Sequence, residues 1–178
     1  MSGNGSLNHP FDFTSMLQES DVQQGHQIYL SAGTYADSFI SSLANGVGGG
    51  EITIRPYATD FVKIDGSLLC SFGGVIVKNL HITCTEFSDR ESAQTGSAPT
   101  DLPGDGISTR FNGQASQLID CVIYDTRQGP YIPATAGGST IIDGCIIFWN
   151  GWFAPDRGHG HGIYPQNASG NNPLIIRN

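Results

Sequence analysis

The sequence has 178 residues, of which 24 are glycine and 13% are charged, and its formal net charge is -8. Abundant glycine with few charges favours many tight turns between short strands and argues against a helical chain, whereas frequent Ile, Val and Leu argue against disorder. The acidic balance without a basic cluster argues against a nucleic-acid partner, and the lack of a long apolar run argues against a membrane span.

The first residues of the chain predict a lead-in segment over residues 1–20. Phe11, Phe13, Met16 and Leu17 form a short amphipathic stretch suited to cover the open first turn of a repetitive structure. The opening residues are polar and lack an apolar segment, so no signal peptide is predicted in this chain.

Short strands separated by turn residues follow, and none of them is joined to the next by a two-residue hairpin signal. Gln27–Leu30 is the first, and residues 31–35 are predicted to end it. The next strands are predicted at residues 51–55, 61–64, 75–82, 105–109, 118–124, 141–148 and 174–176. Long loops are predicted at residues 85–104 and at residues 149–172, the second with a short strand at residues 162–164.

A sequence unit recurs along this part of the chain. VKNLHI at residues 77–82 aligns with LIDCVI at residues 118–123 and with IDGCII at residues 142–147, and a further copy begins at residues 176–178. The alignment puts Leu80, Cys121 and Cys145 at one inward position, with spacings of 41 and 24 residues. A constant core position with irregular spacing is typical of a solenoid of parallel strands, so one inward column is predicted.

The last copy of the unit is cut off, and this leads to a prediction about the end of the structure. An open final turn would expose apolar side chains and unpaired strand edges. We therefore expect a further part of the protein, or self-association with a second copy, to cover that end.

The four cysteines, Cys70, Cys84, Cys121 and Cys145, have no metal-binding spacing. They are predicted to act as small buried hydrophobic residues. Stacked parallel strands lie about 4.8 Å apart, so a disulfide between Cys121 and Cys145 is geometrically conceivable but is not predicted.

Three segments resemble a known family. Residues 24–35, QGHQIYLSAGTY, resemble the opening turn of right-handed parallel β-helix proteins, and residues 52–56 and 64–66 resemble the next two strands. Residues 158–167, GHGHGIYPQN, resemble a segment common in the pectate-lyase-like superfamily. The resemblance implies an all-β fold, a right-handed single-stranded parallel β-helix or solenoid over residues 21–178, with residues 1–20 as an N-terminal capping segment.

The resemblance also implies a polysaccharide partner and an extracellular location, because known members mostly bind or cut long glycans in a side groove. Two hypotheses follow: a carbohydrate-active enzyme, either a lyase or a hydrolase, and a non-catalytic glycan-binding or structural module of a phage tail or surface fibre. The sequence departs from the lyases, since Lys63 and Lys78 lie within strands and no dense acidic Ca²⁺ cluster is visible. Asp105, Asp120 and Asp143 have suitable turn positions for a hydrolase, but their flanking motifs do not match.

The densest group of polar residues gives the candidate catalytic site, and it consists of Asp156, Arg157, His159, His161 and Tyr164. In a catalytic site, His159 or His161 would act as the general base, Arg157 would bind a carboxylate and Tyr164 would donate a proton. Alternatively, His159 and His161 at i and i+2 on a strand would point the same way and bind a divalent metal. A third interpretation is a hydrogen-bonded polar ladder that ties the loop to the fold.

Candidate substrate-binding residues lie around this group. Trp149 and Trp152, with Phe153, form an aromatic cluster suited to stack on sugar faces or to pack under the long loop. Asp105 and Arg110 are a weaker candidate pair. We expect His159 and His161 to share one face near Trp152, close to Asp156 or Arg157.

Overall fold

The computed structural model describes residues 6–10, 24–36, 39–40, 51–66, 68–70, 74–84, 90–92, 95, 109–111, 116–132, 139–166 and 174–178. Within these ranges the chain is all-β and forms three parallel sheets and one antiparallel pair. The same ranges contain no helix with the length and apolarity that a bilayer crossing requires.

The first sheet contains, in spatial order, β1 (Gln27–Leu30), β4 (Ile52–Pro56), β7 (Val75–Lys78), β10 (Gln117–Ile119), β13 (Thr140–Asp143) and β18 (Leu174–Arg177). The second contains β2 (Gly33–Ala36), β5 (Val62–Asp65), β8 (His81–Thr83), β11 (Val122–Tyr124) and β14 (Ile146–Phe148). The third contains β3 (Phe39–Ile40), β6 (Leu68–Cys70), β9 (Thr109–Phe111), β12 (Tyr131–Ile132) and β17 (Tyr164–Pro165). The antiparallel pair is β15 (Trp152–Phe153) and β16 (Gly158–His159).

The chain visits the three sheets in a fixed order and adds one strand to each sheet in every round. The strand register confirms the alignment of the sequence unit. Leu118 pairs with Val77 on one side and with Ile142 on the other, and Ile142 pairs with Ile176. Alignment of the repeat therefore predicts which residues are neighbours across the parallel sheets.

The core consists of the inward side chains of these strands. Leu80 and Cys121 are fully buried and Cys145 packs against the same core, as the unit alignment predicts. Further inward columns follow the register: Ile28, Ile54, Val77, Leu118 and Ile142 in the first sheet, and Ile64, Ile82 and Ile123 in the second. Such a column buries one branched apolar side chain per round, which explains the recurrence of Ile, Val and Leu.

Each of the longer predicted strands is in fact two strands joined by a two-residue corner. The first residues of the corners are Asn79, Asp120 and Gly144, with φ of 56°, 53° and 62°. Short polar residues and glycine adopt this left-handed conformation at low cost. The N–H of each of these three residues donates to a backbone carbonyl of the next round, at 3.0, 2.9 and 3.1 Å. The β-propensity of the flanking residues conceals the corner, so the prediction of single strands is wrong.

A side chain also lies close to the last of these corners. A Cβ on Gly144 would overlap the carboxylate of Asp120 in the preceding round. Asn79 and Asn178 have equivalent places in the strand register, and the intervening rounds have Asp120 and Gly144 at this place.

Two further predictions of local structure are wrong. Residues 31–35 do not simply end the first strand, because Gly33–Ala36 forms β2, whose mostly exposed residues show no apolar alternation. The second long loop contains β17, which overlaps the predicted short strand at Tyr164, but it also contains an antiparallel hairpin that was not predicted, since β15 and β16 are two residues long and are joined by residues 154–157.

Some predictions fall outside the described residues. Phe11, Phe13, Met16, Leu17 and Asp105 are among them, so the N-terminal cap stays a prediction. At the other end, β18 is the last strand of the first sheet, and its Ile175 and Ile176 are exposed. The covering of this strand by a partner or a second copy also stays a prediction.

Candidate functional site

His159 is the centre of a side-chain stack on the antiparallel hairpin. The hairpin places His159 opposite Trp152, and their rings stack with 5.0 Å between centroids and 10° between planes. The guanidinium of Arg127 lies 5.2 Å from the Trp152 ring centroid, and His159 Nε2 lies 3.2 Å from Asp156 Oδ1. The predicted proximity of His159 to Trp152 and Asp156 is confirmed. Only 11% of the His159 side chain is exposed, because the indole covers one of its faces.

Arg157 has a more peripheral position. Its side chain is 75% exposed, and its Nε lies 3.7 Å from Asp156 Oδ2, which makes the ion pair weak. Asp156 thus has one carboxylate oxygen near His159 and the other near Arg157. The N–H of Ala154 donates to the carbonyl of Arg157 at 3.0 Å and closes the hairpin loop.

His161 and Tyr164 form a second group, at the third sheet. Their rings stack with 4.7 Å between centroids, and the ring of Tyr131 lies 5.5 Å from that of Tyr164. Gln166 joins the two tyrosines, since its amide donates to the Tyr164 hydroxyl at 3.0 Å and accepts from the Tyr131 hydroxyl at 2.8 Å. Tyr164 is therefore held in a polar chain along neighbouring strands β12 and β17.

The prediction that His159 and His161 point the same way assumes that both lie on one strand, but β16 ends at His159. Gly160 has φ of 82°, which turns the chain between the two histidines. One imidazole consequently stacks on Trp152 and the other on Tyr164. Over the described ranges, no group of three or more His, Cys, Asp and Glu residues is arranged to hold a metal ion. A metal site and a general base at these histidines stay predictions.

The other predicted substrate residues are dispersed. Trp152 is buried between Arg127 and His159, so its ring faces protein instead of solvent. Arg110 lies on β9 of the third sheet, between Leu69 and Tyr131 in the strand register. Trp149 is widely exposed, at 73%.

Trp149 belongs to a row of rings on the outer surface of the second sheet. We call this row the aromatic strip, and it consists of Phe61, His81, Tyr124, Phe148 and Trp149. Successive ring centroids lie 4.6, 6.5, 5.3 and 6.2 Å apart. Phe61 is 59% and Phe148 43% exposed. The strip thus presents a nearly continuous aromatic surface that crosses the rounds of the chain.

The strip arises from strand alternation. Ile82 and Ile123 face the core, and His81 before Ile82 and Tyr124 after Ile123 are partly exposed on the outer side. Tyr124 pairs with Phe148 in the parallel register, and the two rings stack at 8°. Four of the five strip residues were not predicted, and Tyr124 and Phe148 among them lie one position beyond the aligned unit. One more position would have brought Tyr124 and Phe148 into one outward column.

Trp149 has a strained backbone as well as an exposed ring. Its φ of 54° lies in the left-handed region, which a bulky residue adopts only at a cost. The guanidinium of Arg90 lies 5.7 Å from the centroid of the Trp149 ring, and the Phe148 ring centroid lies 6.2 Å from the same centroid. Strained residues that persist in a fold are concentrated at functional sites.

Two ion pairs flank the strip. Lys63 Nζ lies 3.0 Å from Asp65 Oδ2 on β5, and Arg90 pairs with Asp125 beside Trp149. The backbone holds Arg90 in place, because its carbonyl accepts a hydrogen bond from the N–H of Phe153 at 2.7 Å. Both cations beside the strip are therefore neutralised by neighbouring carboxylates.

Cys121 and Cys145 form a thiol pair inside the fold. Both are free thiols, and each donates to a backbone carbonyl two residues earlier, Cys121 to Ile119 at 3.3 Å and Cys145 to Asp143 at 3.5 Å. Interaction with the Cys121 thiol lowers the pKa of Cys145 to about 7, whereas interaction with Cys145 and burial raise the pKa of Cys121. The pair occupies successive rounds of the inward column, as the sequence unit predicts.

The position of His81 in the strip predicts a pH-dependent stability. Burial lowers the pKa of His81 below its usual 6.5 in the folded protein. Because the unfolded chain then takes up the proton first, the free energy of unfolding decreases as the pH falls from about 6.5 through the folded pKa. Urea unfolding at about pH 7.5 and about pH 5.5 measures this decrease.

The matched variant for this prediction is His81→Phe, which keeps a ring between Phe61 and Tyr124 but removes the proton site. We expect its unfolding free energy to decrease less over the same pH interval. An equal decrease in the wild type and the variant would show that other groups cause it.

Comparison with protein-family models, with curated proteins and with solved structures found no match. The likeness to the pectate-lyase-like superfamily accordingly stays a resemblance of sequence segments, and the aromatic strip is the feature from which a function can be argued.

Proposed function

We propose that this chain is a right-handed parallel β-helix that binds a polysaccharide along its aromatic strip. The repeated order of the three sheets supports the β-helix, because parallel strands added in constant order build a coil. Connections between parallel strands are right-handed in about 98% of cases, which supports the hand.

The single observation that carries the binding proposal is the aromatic strip itself. Sugar rings have apolar C–H faces and polar hydroxyl edges, so a glycan binds best to aromatic planes bordered by polar groups. The strip has five rings in mutual contact, and the Lys63–Asp65 and Arg90–Asp125 pairs lie beside them. Its direction across the rounds suits an extended polymer.

The geometry favours binding over cleavage. The strip and its flanking carboxylates are assembled in one place, whereas the predicted catalytic residues divide between the hairpin and the third sheet. Cleavage stays a prediction from the resemblance. Incubation with uronate and neutral glycans, followed by measurement of unsaturated products and reducing ends, tests it directly.

The binding proposal is tested with Phe148→Ala. We expect the wild type to be retained on an immobilised polysaccharide from a panel of neutral and acidic glycans. Loss of the Phe148 ring should weaken binding about fivefold to tenfold, because stacking of one exposed aromatic contributes roughly 1 kcal/mol.

Tyr57→Ala is the matched control for this experiment. Tyr57 is 44% exposed, as Phe148 is 43% exposed, but it follows β4 of the first sheet and contacts Tyr29 instead of the strip. Its loss should leave retention unchanged. Equal losses in both variants, or no retention of the wild type by any glycan, would contradict the proposal.

A further inference from the structure

The charges around the aromatic strip bear on which glycans it accepts. Lys63 and Asp65 are both about four-fifths buried as side chains, with exposures of 21% and 17%. Arg90 and Asp125 are similarly covered, with exposures of 28% and 29%. A charge pair this well covered is screened less by solvent than a surface pair, so each cation is firmly bound to its carboxylate.

A polyuronate would have to compete with these carboxylates. For Arg90 to bind a sugar carboxylate, it would exchange one carboxylate partner for another and leave Asp125 without a counterion. Leaving one member of a covered pair unpaired costs more than the new contact supplies. The net charge of -8 adds a general repulsion against a negatively charged polymer.

A neutral glycan meets no such cost. The oxygens of Asp125 have acceptor capacity beyond one cation, and sugar hydroxyls are hydrogen-bond donors. The rings of the strip supply the apolar contact for the sugar faces. We infer that the aromatic strip selects neutral polysaccharides over polyuronates, an inference that rests on the proposed glycan-binding function.

The first test compares short neutral gluco-, xylo- and manno-oligosaccharides with oligogalacturonates of the same length by titration calorimetry. We expect the best neutral ligand to bind at least about tenfold more tightly than the uronate. Its affinity should also change little between low and high salt, because no counterions are released.

Asp125→Asn gives the sharper test. Asp125 has φ of 56°, a conformation that asparagine adopts readily, so the substitution preserves shape and removes only the charge. Arg90 then loses the charge of its partner Asp125, so a uronate carboxylate no longer competes with that pair. We expect uronate affinity to rise at least about threefold, with a salt dependence that the wild type lacks.

Asp143→Asn is the matched control, because Asp143 pairs with Arg177 at 3.0 Å on the first sheet, away from the strip. It should leave both affinities unchanged. Uronate binding as tight as neutral binding in the wild type, weakened by Phe148→Ala, would overturn the inference and leave the proposed function intact. Absence of binding by every glycan would overturn the proposed function itself.

Discussion

Gly129→Ala should lower the free energy of unfolding by about 2–4 kcal/mol, as expected for forced overlap at a buried position. Gly129 precedes β12 and is buried, and its N–H donates to the carbonyl of His161 at 2.9 Å. A Cβ at this position would overlap the carbonyl oxygen of Gly162 and lie 3.0 Å from that of His161. Backbone cannot move aside as a side chain can, so residues 161–162 would have to separate from residue 129.

The separation would also weaken the pairing of the two strands that follow. The N–H of Tyr164 donates to the carbonyl of Pro130 at 2.8 Å, one residue beyond the overlap. We therefore expect the loss of stability to be accompanied by faster hydrogen exchange at Tyr164.

Gly162→Ala is the matched control, because a Cβ on Gly162 meets no atom within 4 Å. Its effect should be within about 0.5 kcal/mol of the wild type, as for other open surface sites. Urea unfolding of both variants measures the difference. Equal stabilities of the two variants would contradict the close approach of these backbone segments.

Trp149→Asn should have two opposite effects. It should weaken glycan binding about thirtyfold or more, since a tryptophan in a binding contact commonly contributes about 2 kcal/mol. It should also stabilise the fold by about 0.5–1 kcal/mol, because asparagine adopts the left-handed conformation at lower cost than tryptophan. Trp149 is 73% exposed, so little packing is lost in exchange.

Trp149→Phe separates the two effects. Phenylalanine keeps an aromatic ring beside Phe148 and Arg90 but retains the cost of the left-handed backbone. We expect this variant to bind glycan within a few-fold of the wild type and to gain no stability. Thermal unfolding measures the stability, and titration calorimetry the glycan affinity, of the wild type, Trp149→Asn and Trp149→Phe. A destabilised Trp149→Asn variant would show that the side chain serves packing instead of binding.

The register of the parallel sheets was predictable from the sequence because it depends on a repeat of short range. Val77, Leu118 and Ile142 are aligned by the residues that surround them, and burial requires the same apolar type at each round. The corners that divide the strands were not predictable from the sequence. Asn79, Asp120 and Gly144 break each strand through a single φ angle, while the apolar residues on both sides keep the pattern of one continuous strand.

In the candidate site, too, one part was predictable from the sequence and another was not. Proximity of His159 to Asp156 and Trp152 followed from their short separation in sequence, and it is confirmed. The common face for His159 and His161 did not follow, because the turn at Gly160 redirects the chain.

The sequence by itself determined the all-β class, the repeat register and the inward column of Leu80, Cys121 and Cys145, because these follow from local apolar periodicity. Only the tertiary structure decided the aromatic strip. Phe61 and Phe148 are far apart in the chain, but successive rounds place them on one outer surface. The rings of His81 and Tyr124 lie between them and contact them across the strands. Outward positions are not constrained by burial, so their residue types do not reveal a pattern in the sequence. Their role depends on the side chains that neighbouring rounds place beside them.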